Sequence, residues 1–110
     1  GLWVLKVDPL ANEESRYQID NSQSYCNSII QTMDNDYLVI GNSGDIYGEF
    51  VNILIVKLDE NLNEVWQNNP CDFCGSNKSY GHSGIQTSDG GYIITGYIKY
   101  SNSRGVWKCV

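Results

Sequence analysis

Ser28-Ile29-Ile30-Gln31-Thr32-Met33-Asp34-Asn35-Asp36-Tyr37-Leu38-Val39-Ile40-Gly41 recurs as Ser83-Gly84-Ile85-Gln86-Thr87-Ser88-Asp89-Gly90-Gly91-Tyr92-Ile93-Ile94-Thr95-Gly96, 55 residues further on and without a slip in register. Each copy reads as a β-hairpin. Ile30 and Thr32 flank Gln31, and Ile85 and Thr87 flank Gln86, the period-two alternation of a strand with one buried face. The second tip, Ser88-Asp89-Gly90-Gly91, supplies Asp and Gly where a tight turn needs positive φ. The first tip, Met33-Asp34-Asn35-Asp36, supplies Asn and Asp, which tolerate that region best after Gly. Asp34, Asp89, Gly90 and Gly91 are therefore expected to be structural turn residues.

The rest of the chain aligns around the two hairpins. The apolar run Leu2 to Val7 ends at Asp8-Pro9, where Pro disfavours helix before it and cannot continue a central strand. It returns as Ile53 to Asp59, with Lys6 on Lys57 and Asp8 on Asp59. A polar turn follows each run, Pro9 to Ser15 and then Glu60 to Glu64, and leads to an aromatic-Gln pair, Tyr17-Gln18 or Trp66-Gln67. The first turn is about two residues longer, a change that hairpin turns tolerate. Connectors closing on Tyr25 and Tyr80 then reach the hairpins, and Val106 to Val110 opens a third copy of the apolar strand. No segment combines both helix caps with an apolar stripe; Glu60 to Trp66 comes nearest, and its Asn content favours a turn.

The chain thus divides into repeat one at about 2–41, repeat two at about 53–96, and the start of a third at 106–110. Four short strands per 50 to 55 residues is the spacing of propeller blades. The expected fold is all-β: β-propeller-type four-stranded blade repeats, about two blades, permuted and incomplete at both ends, in a single unit 1–110.

Composition narrows the function classes. The net charge of −6 argues against nucleic acid, whose phosphates need a basic face, and against an anionic membrane surface. The longest apolar run, Ile53 to Val56, has strand length, far short of the roughly 18 residues of a membrane-spanning helix. Gly1 is not Met and the chain opens inside a strand, so a processed product or a piece of a longer protein is expected. Four cysteines in a Gly/Asn/Ser-rich chain favour an oxidising compartment.

Val56-Lys57-Leu58-Asp59, Val65-Trp66-Gln67 and Gln86-Thr87-Ser88-Asp89-Gly90-Gly91-Tyr92-Ile93-Ile94-Thr95-Gly96 together resemble a family of extracellular β-propeller repeats common in large bacterial surface and secreted proteins. The resemblance runs over most of the chain. It implies a scaffold or binding platform, extracellular or at the cell surface, with no shared catalytic residues. The second hairpin tip is also similar to the Asp-box turn of sialidase-like propellers: Thr87, Asp89 and Gly91 fit, while Ile94 replaces the aromatic and Asp36 replaces the Gly in the first copy. Those turns are structural and remote from the active site. Two blades cannot close a ring, so either a longer propeller or self-association is expected. The terminal strands, Leu2 to Val7 and Val106 to Val110, would serve as the donors, giving rings or filaments.

The candidate sites are few. Cys71 and Cys74 have the spacing of half a zinc site, but no second Cys-x-x-Cys is present and His82 is the only histidine. A Cys71–Cys74 bridge pinning the longer connector is the leading reading, with Cys26 to Cys109 as the remaining pair; four cysteines allow three connectivities. Asn77-Lys78-Ser79 is the single glycosylation sequon, making Asn77 the candidate acceptor. His82 aligns with Asn27 and reads as a loop residue. Asp34, Asp36, Asp45 and Glu49 form an acidic group that departs from a calcium loop, since no Glu follows at the required distance. Trp3, Trp66 and Trp107 are expected in the core, and Tyr47, Tyr97 and Tyr100 on the surface. The reading is a non-catalytic structural or interaction protein without cofactor or metal. Carbohydrate or protein binding is the alternative, and a sialidase-like fragment is third, with Arg16 and Arg104 as its only arginines.

Overall fold

The computed structural model describes residues 1–20, 23–44, 50–70, 77–101 and 107–109, with Ser101 and Trp107–Cys109 placed by strand alone. Among the described residues nine strands follow in order: β1 (Leu2–Val7), β2 (Glu13–Ile19), β3 (Tyr25–Gln31), β4 (Tyr37–Gly44), β5 (Val51–Leu58), β6 (Glu64–Asn68), β7 (Lys78–Gln86), β8 (Tyr92–Ser101) and β9 (Trp107–Cys109). No helix occurs among the described residues. The strands form three antiparallel sheets: the pair β1-β2, the four-stranded meander β3-β4-β5-β6, and β7-β8-β9. No sheet closes on itself among the described residues.

Local chemistry sets each turn. In the first strand pair the Asp8 carboxylate accepts from the amides of Leu10 and Asn12, both at 2.9 Å, and Ala11 takes φ 66. The turn after β5 repeats this atom for atom: Asp59 accepts from Asn61 at 2.9 Å and Asn63 at 2.8 Å, and Leu62 takes φ 64. The Asn side chain at the end of each turn donates back to the same carboxylate, at 3.3 Å from Asn12 and 3.2 Å from Asn63. The other two turns form a second matched pair. The Thr32 hydroxyl donates to Asp34, and the Thr87 hydroxyl to Asp89. Positive φ falls on Asn35 (66) and Gly90 (88), one residue after each Asp.

The bulges repeat as well. Register slips between Lys6 and Val7 and again between Lys57 and Leu58. It slips between Cys26 and Ser28, and again between Gly81 and Ser83, so Asn27 and His82 are the inserted residues. Each of these last bulges pushes a carbonyl onto the partner strand. A Cβ on Gly41 would stand 1.9 Å from the Tyr25 oxygen, and one on Gly96 would stand 1.9 Å from the Tyr80 oxygen. That is why both copies of the hairpin end in Gly.

Packing shows how the sheets are ordered. On β4 and β5, alternate residues belong to two separate cores. Val39, Leu54, Val56 and Leu58 pack with Leu2, Val4, Tyr17 and Ile19 of the first sheet. Leu38, Ile40 and Ile55 pack with Tyr92 and Ile94 of the third. The central sheet is thus buried on both faces, and β4 carries the unbroken buried run Leu38 to Asn42. Among the described residues, every buried hydrophobic except Leu2 and Leu62 lies on β4 or β5. Each such side chain contributes about 1.5–3 kcal/mol by leaving water, so these two strands hold the molecule together. Three sheets in a row also explain the shape. Extents of 52 × 32 × 21 Å and a radius of gyration of 15.3 Å exceed the roughly 13 Å of a compact chain of this length.

Among the described residues, each outer sheet has one face with no neighbouring sheet. Trp3, expected in the core, is 70% exposed on the outward face of β1, alongside exposed Leu5 and Val7. The apolar run Leu2 to Val7, read from sequence as a buried strand, alternates in the fold: Leu2 and Val4 turn inward, and Trp3, Leu5 and Val7 turn outward.

Candidate functional site: an open groove beside β8

Polar side chains bridge the sheets at fixed stations. The Asn27 amide donates to the Gly81 carbonyl of the third sheet at 2.6 Å and to Asn42 Oδ1 at 3.1 Å. The Met33 amide donates to Gln86 Oε1 at 2.7 Å, and the Ile53 amide to Ser79 Oγ at 3.0 Å. On the other side Lys6 Nζ donates to the Glu60 carbonyl at 2.8 Å, and the Tyr17 hydroxyl donates to Glu64 Oε1 at 2.5 Å. Burial, and then the Glu64 carboxylate, push the Tyr17 hydroxyl well above its ordinary range, so it remains a donor.

Between the second and third sheets lies a groove of about 570 Å³. Ile53 and Ile55 of β5 with Trp66 and Asn68 of β6 form one wall, and Tyr92, Ile94 and Gly96 of β8 form the other. Trp66 meets Tyr92 edge to face at 6.4 Å. At the other end Tyr80 and Tyr97 stack at 4.6 Å, and Lys99 Nζ lies 5.4 Å from the Tyr80 ring. Among the described residues β8 is paired on its far side at Lys99, Tyr100 and Ser101, by β9. In the central sheet the equivalent edge of β4 is covered along its whole length by β5, from Tyr37 to Gly44.

The sequence candidates fall elsewhere. Asp34 and Asp36 flank Lys57, at 2.9 Å and 3.6 Å, so one ammonium from the neighbouring strand offsets part of their charge; Asp45 and Glu49 lie outside the described residues. His82 is an exposed bulge residue on β7. Asn77 is half-buried at the foot of β7, and Ser79 of its sequon is buried. Cys26 carries a free thiol, its Sγ 3.6 Å from the Ser28 carbonyl oxygen. Cys71 and Cys74 lie outside the described residues, as does the Cys109 side chain. Among the described residues no three His, Cys, Asp or Glu side chains gather as a metal site would need. Tyr97 and Tyr100 do line the groove, while Tyr47 lies outside the described residues. Trp66, assigned to the core from sequence, is a partly exposed groove wall.

The turn carboxylates define an acid response. The Thr32 hydroxyl, and then the Lys57 ammonium, hold Asp34 at about 2. Asp8 and Asp59 are lowered chiefly by the Asn12 and Asn63 amides, and Asp89 chiefly by the Thr87 hydroxyl. A carboxyl that titrates lower in the fold than its unfolded value of about 4 stabilises the fold above that pH, and loses this as pH falls through the folded value. The melting midpoint should therefore drop between pH 4 and pH 2. Asp34→Asn, which keeps the turn acceptor and removes the charge, should flatten that drop. Parallel melting curves for the two proteins across this window would contradict the assignment.

No helix among the described residues is long and apolar enough to cross a membrane. Comparison with family models, curated proteins and solved structures returned no match.

Proposed function

We propose that this chain is a non-catalytic segment of propeller-type repeats, extracellular or at a cell surface, acting as a structural and interaction scaffold. One observation carries the reading: a four-stranded antiparallel meander buried on both faces by sheets built from copies of its own strands. That is the environment of a blade between two blades. The polar residues support the same reading, because they are spent on matched turns and on bridges between sheets. Arg16 is spent on a surface pair with Glu13 at 3.0 Å, away from any acidic cleft, and Arg104 lies outside the described residues.

A second reading has its own observation. Trp66, Tyr92, Tyr97 and Tyr100 line one groove, and such rings present apolar faces to sugars with hydroxyls at the rim. Titration with oligosaccharides, followed by tryptophan fluorescence, tests for a carbohydrate-binding module. Antibody labelling of intact cells and a fluorogenic sialoside assay test the main proposal. Labelling without permeabilisation and no turnover are expected. Labelling only after permeabilisation would refute the location, and turnover would refute the absence of catalysis.

A further inference from the structure

We infer that the sequon Asn77-Lys78-Ser79 is shut by folding, so that Asn77 takes an N-linked glycan only while the chain is unfolded, a property independent of the scaffold reading. A sequon is read by its hydroxyl as well as by its asparagine, and such acceptors belong to surface loops. Ser79 is neither at the surface nor in a loop. It is 2% exposed and is the second residue of β7. Its backbone pairs with Ile98, and that of Lys78 pairs with Lys99. The next residue holds the ladder closed: the Tyr80 ring stacks on Tyr97 at 4.6 Å, with Lys99 Nζ 5.4 Å from it.

The hydroxyl already has a use in the fold. β6 ends at Asn68, opposite Ile55, and Ile53 lies two residues past that last pair. Two side chains take the place of a β6 partner there. Ser79 Oγ accepts from the Ile53 amide at 3.0 Å, and Asn69 Nδ2 donates to the Ile53 carbonyl at 2.7 Å. Ser79 thereby ties the third sheet to the second. The repeat separates this use from a glycan. Ser24, 55 residues earlier, is the equivalent serine and is 1% exposed, yet Ser22 stands where Asn77 would be. A buried serine belongs to the position whether or not an acceptor asparagine precedes it.

The chemistry shows what folding withholds. Asn77 Nδ2 would attack C1 of a sugar carried on a lipid pyrophosphate. The N–C bond forms, the C–O bond breaks, the lipid pyrophosphate leaves with the bonding electrons, and the amide gives up one proton. The transferase must hold Ser79 Oγ beside Asn77 while this happens. In the folded chain that requires β7 to peel from β8 and to let go of Ile53. Exposure of Asn77 alone, half-buried just before β7, does not supply it.

A purified single-subunit oligosaccharyl transferase, with a lipid-pyrophosphate oligosaccharide as donor, tests the inference. Three acceptors are compared at one temperature: the folded 110-residue chain, the Gly41→Ala chain under conditions where circular dichroism finds it unfolded and the parent folded, and a peptide spanning 73–83. The peptide and the unfolded chain should be modified at Asn77 at least about a hundredfold faster than the folded chain, since only its rare open state reacts. A folded chain modified nearly as fast as the peptide would overturn the inference. So would a peptide and an unfolded chain that both stay unmodified, because the fold would then not be what shuts the site. Ser79→Ala reads the hydroxyl directly. It should lower the melting midpoint by about 5–10 °C and speed hydrogen exchange at the Ile53 amide, which loses its acceptor. Unchanged Ile53 exchange in a folded Ser79→Ala chain would free the hydroxyl of its role and overturn the inference as well. If Ser79→Ala fails to fold, the transferase comparison decides alone.

Discussion

Replacing Gly41 by alanine will unfold the central sheet at moderate temperature, while replacing Gly91 by aspartate will leave the fold in place. At Gly41 the new methyl would lie 1.9 Å from the Tyr25 carbonyl oxygen, and 2.9 Å from its carbon. Both are backbone atoms held by the Asn27 bulge, so nothing can swing away. Overpacking of this kind costs about 3 kcal/mol or more. For a domain of this size that lowers the melting midpoint on the order of 10–20 °C. Gly96→Ala should behave alike, since the Tyr80 oxygen stands in the same place. Gly91 is different. A Cβ there would meet only the ends of the Thr87 and Asp89 side chains, at 3.1 and 3.3 Å, and the first hairpin already carries Asp36 at this position. The residual cost is carboxylate repulsion, because the third sheet has no equivalent of Lys57 among the described residues; about 0.5 kcal/mol is expected at an exposed turn. Thermal melts of the three variants settle the matter. A Gly41→Ala protein melting within a few degrees of the parent would show that the bulge is not rigid.

Leu58→Ala and Leu38→Ala should each cost about 2–5 kcal/mol, the range for emptying a buried leucine site, and each should loosen a different end of the molecule. Both side chains are fully buried. Leu58 packs toward Leu2 and Leu62, and Leu38 packs with Ile40 and Ile55 toward the third sheet. Hydrogen exchange should therefore accelerate first in β1 and β2 for Leu58→Ala, and first in β7 and β8 for Leu38→Ala. Equal acceleration of both outer sheets by either variant would mean one shared core instead of two.

The hairpins, their turn residues and the all-β class could be read from residue order because they are local: Ile30-Gln31-Thr32 alternates, and Asp89-Gly90 needs no distant partner. The matched Asp turns were half visible. Asp8 and Asp59 align, but the telling signal is the Asn four residues later, Asn12 and Asn63, which closes the same carboxylate. Which strands share a sheet was not local. Nothing in Tyr25 to Leu58 says that the hairpin continues into the following apolar strand, whereas β2 and β3 do not pair. Trp3 was misplaced for the same reason: alternation tells that β1 has two faces, and only the position of the central sheet tells which one is covered. The groove was invisible because it lies between two sheets, and which sheets face each other is a property of topology and not of any residue. Lys6 and Lys57 show how little a shared position settles, since one reaches across to Glu60 and the other reaches Asp34 within its own sheet.

The bulges at Asn27 and His82 recur in unbroken register, while the lengths between the aligned segments drift. This has a consequence for how such a chain can grow. A duplication that copies any window spanning one bulge-to-bulge interval restores the same partners wherever its breakpoints fall, because the invariant spacing lies inside the hairpins and the slack lies in the turns between them. The gene can lengthen or shorten without its crossovers respecting sheet boundaries.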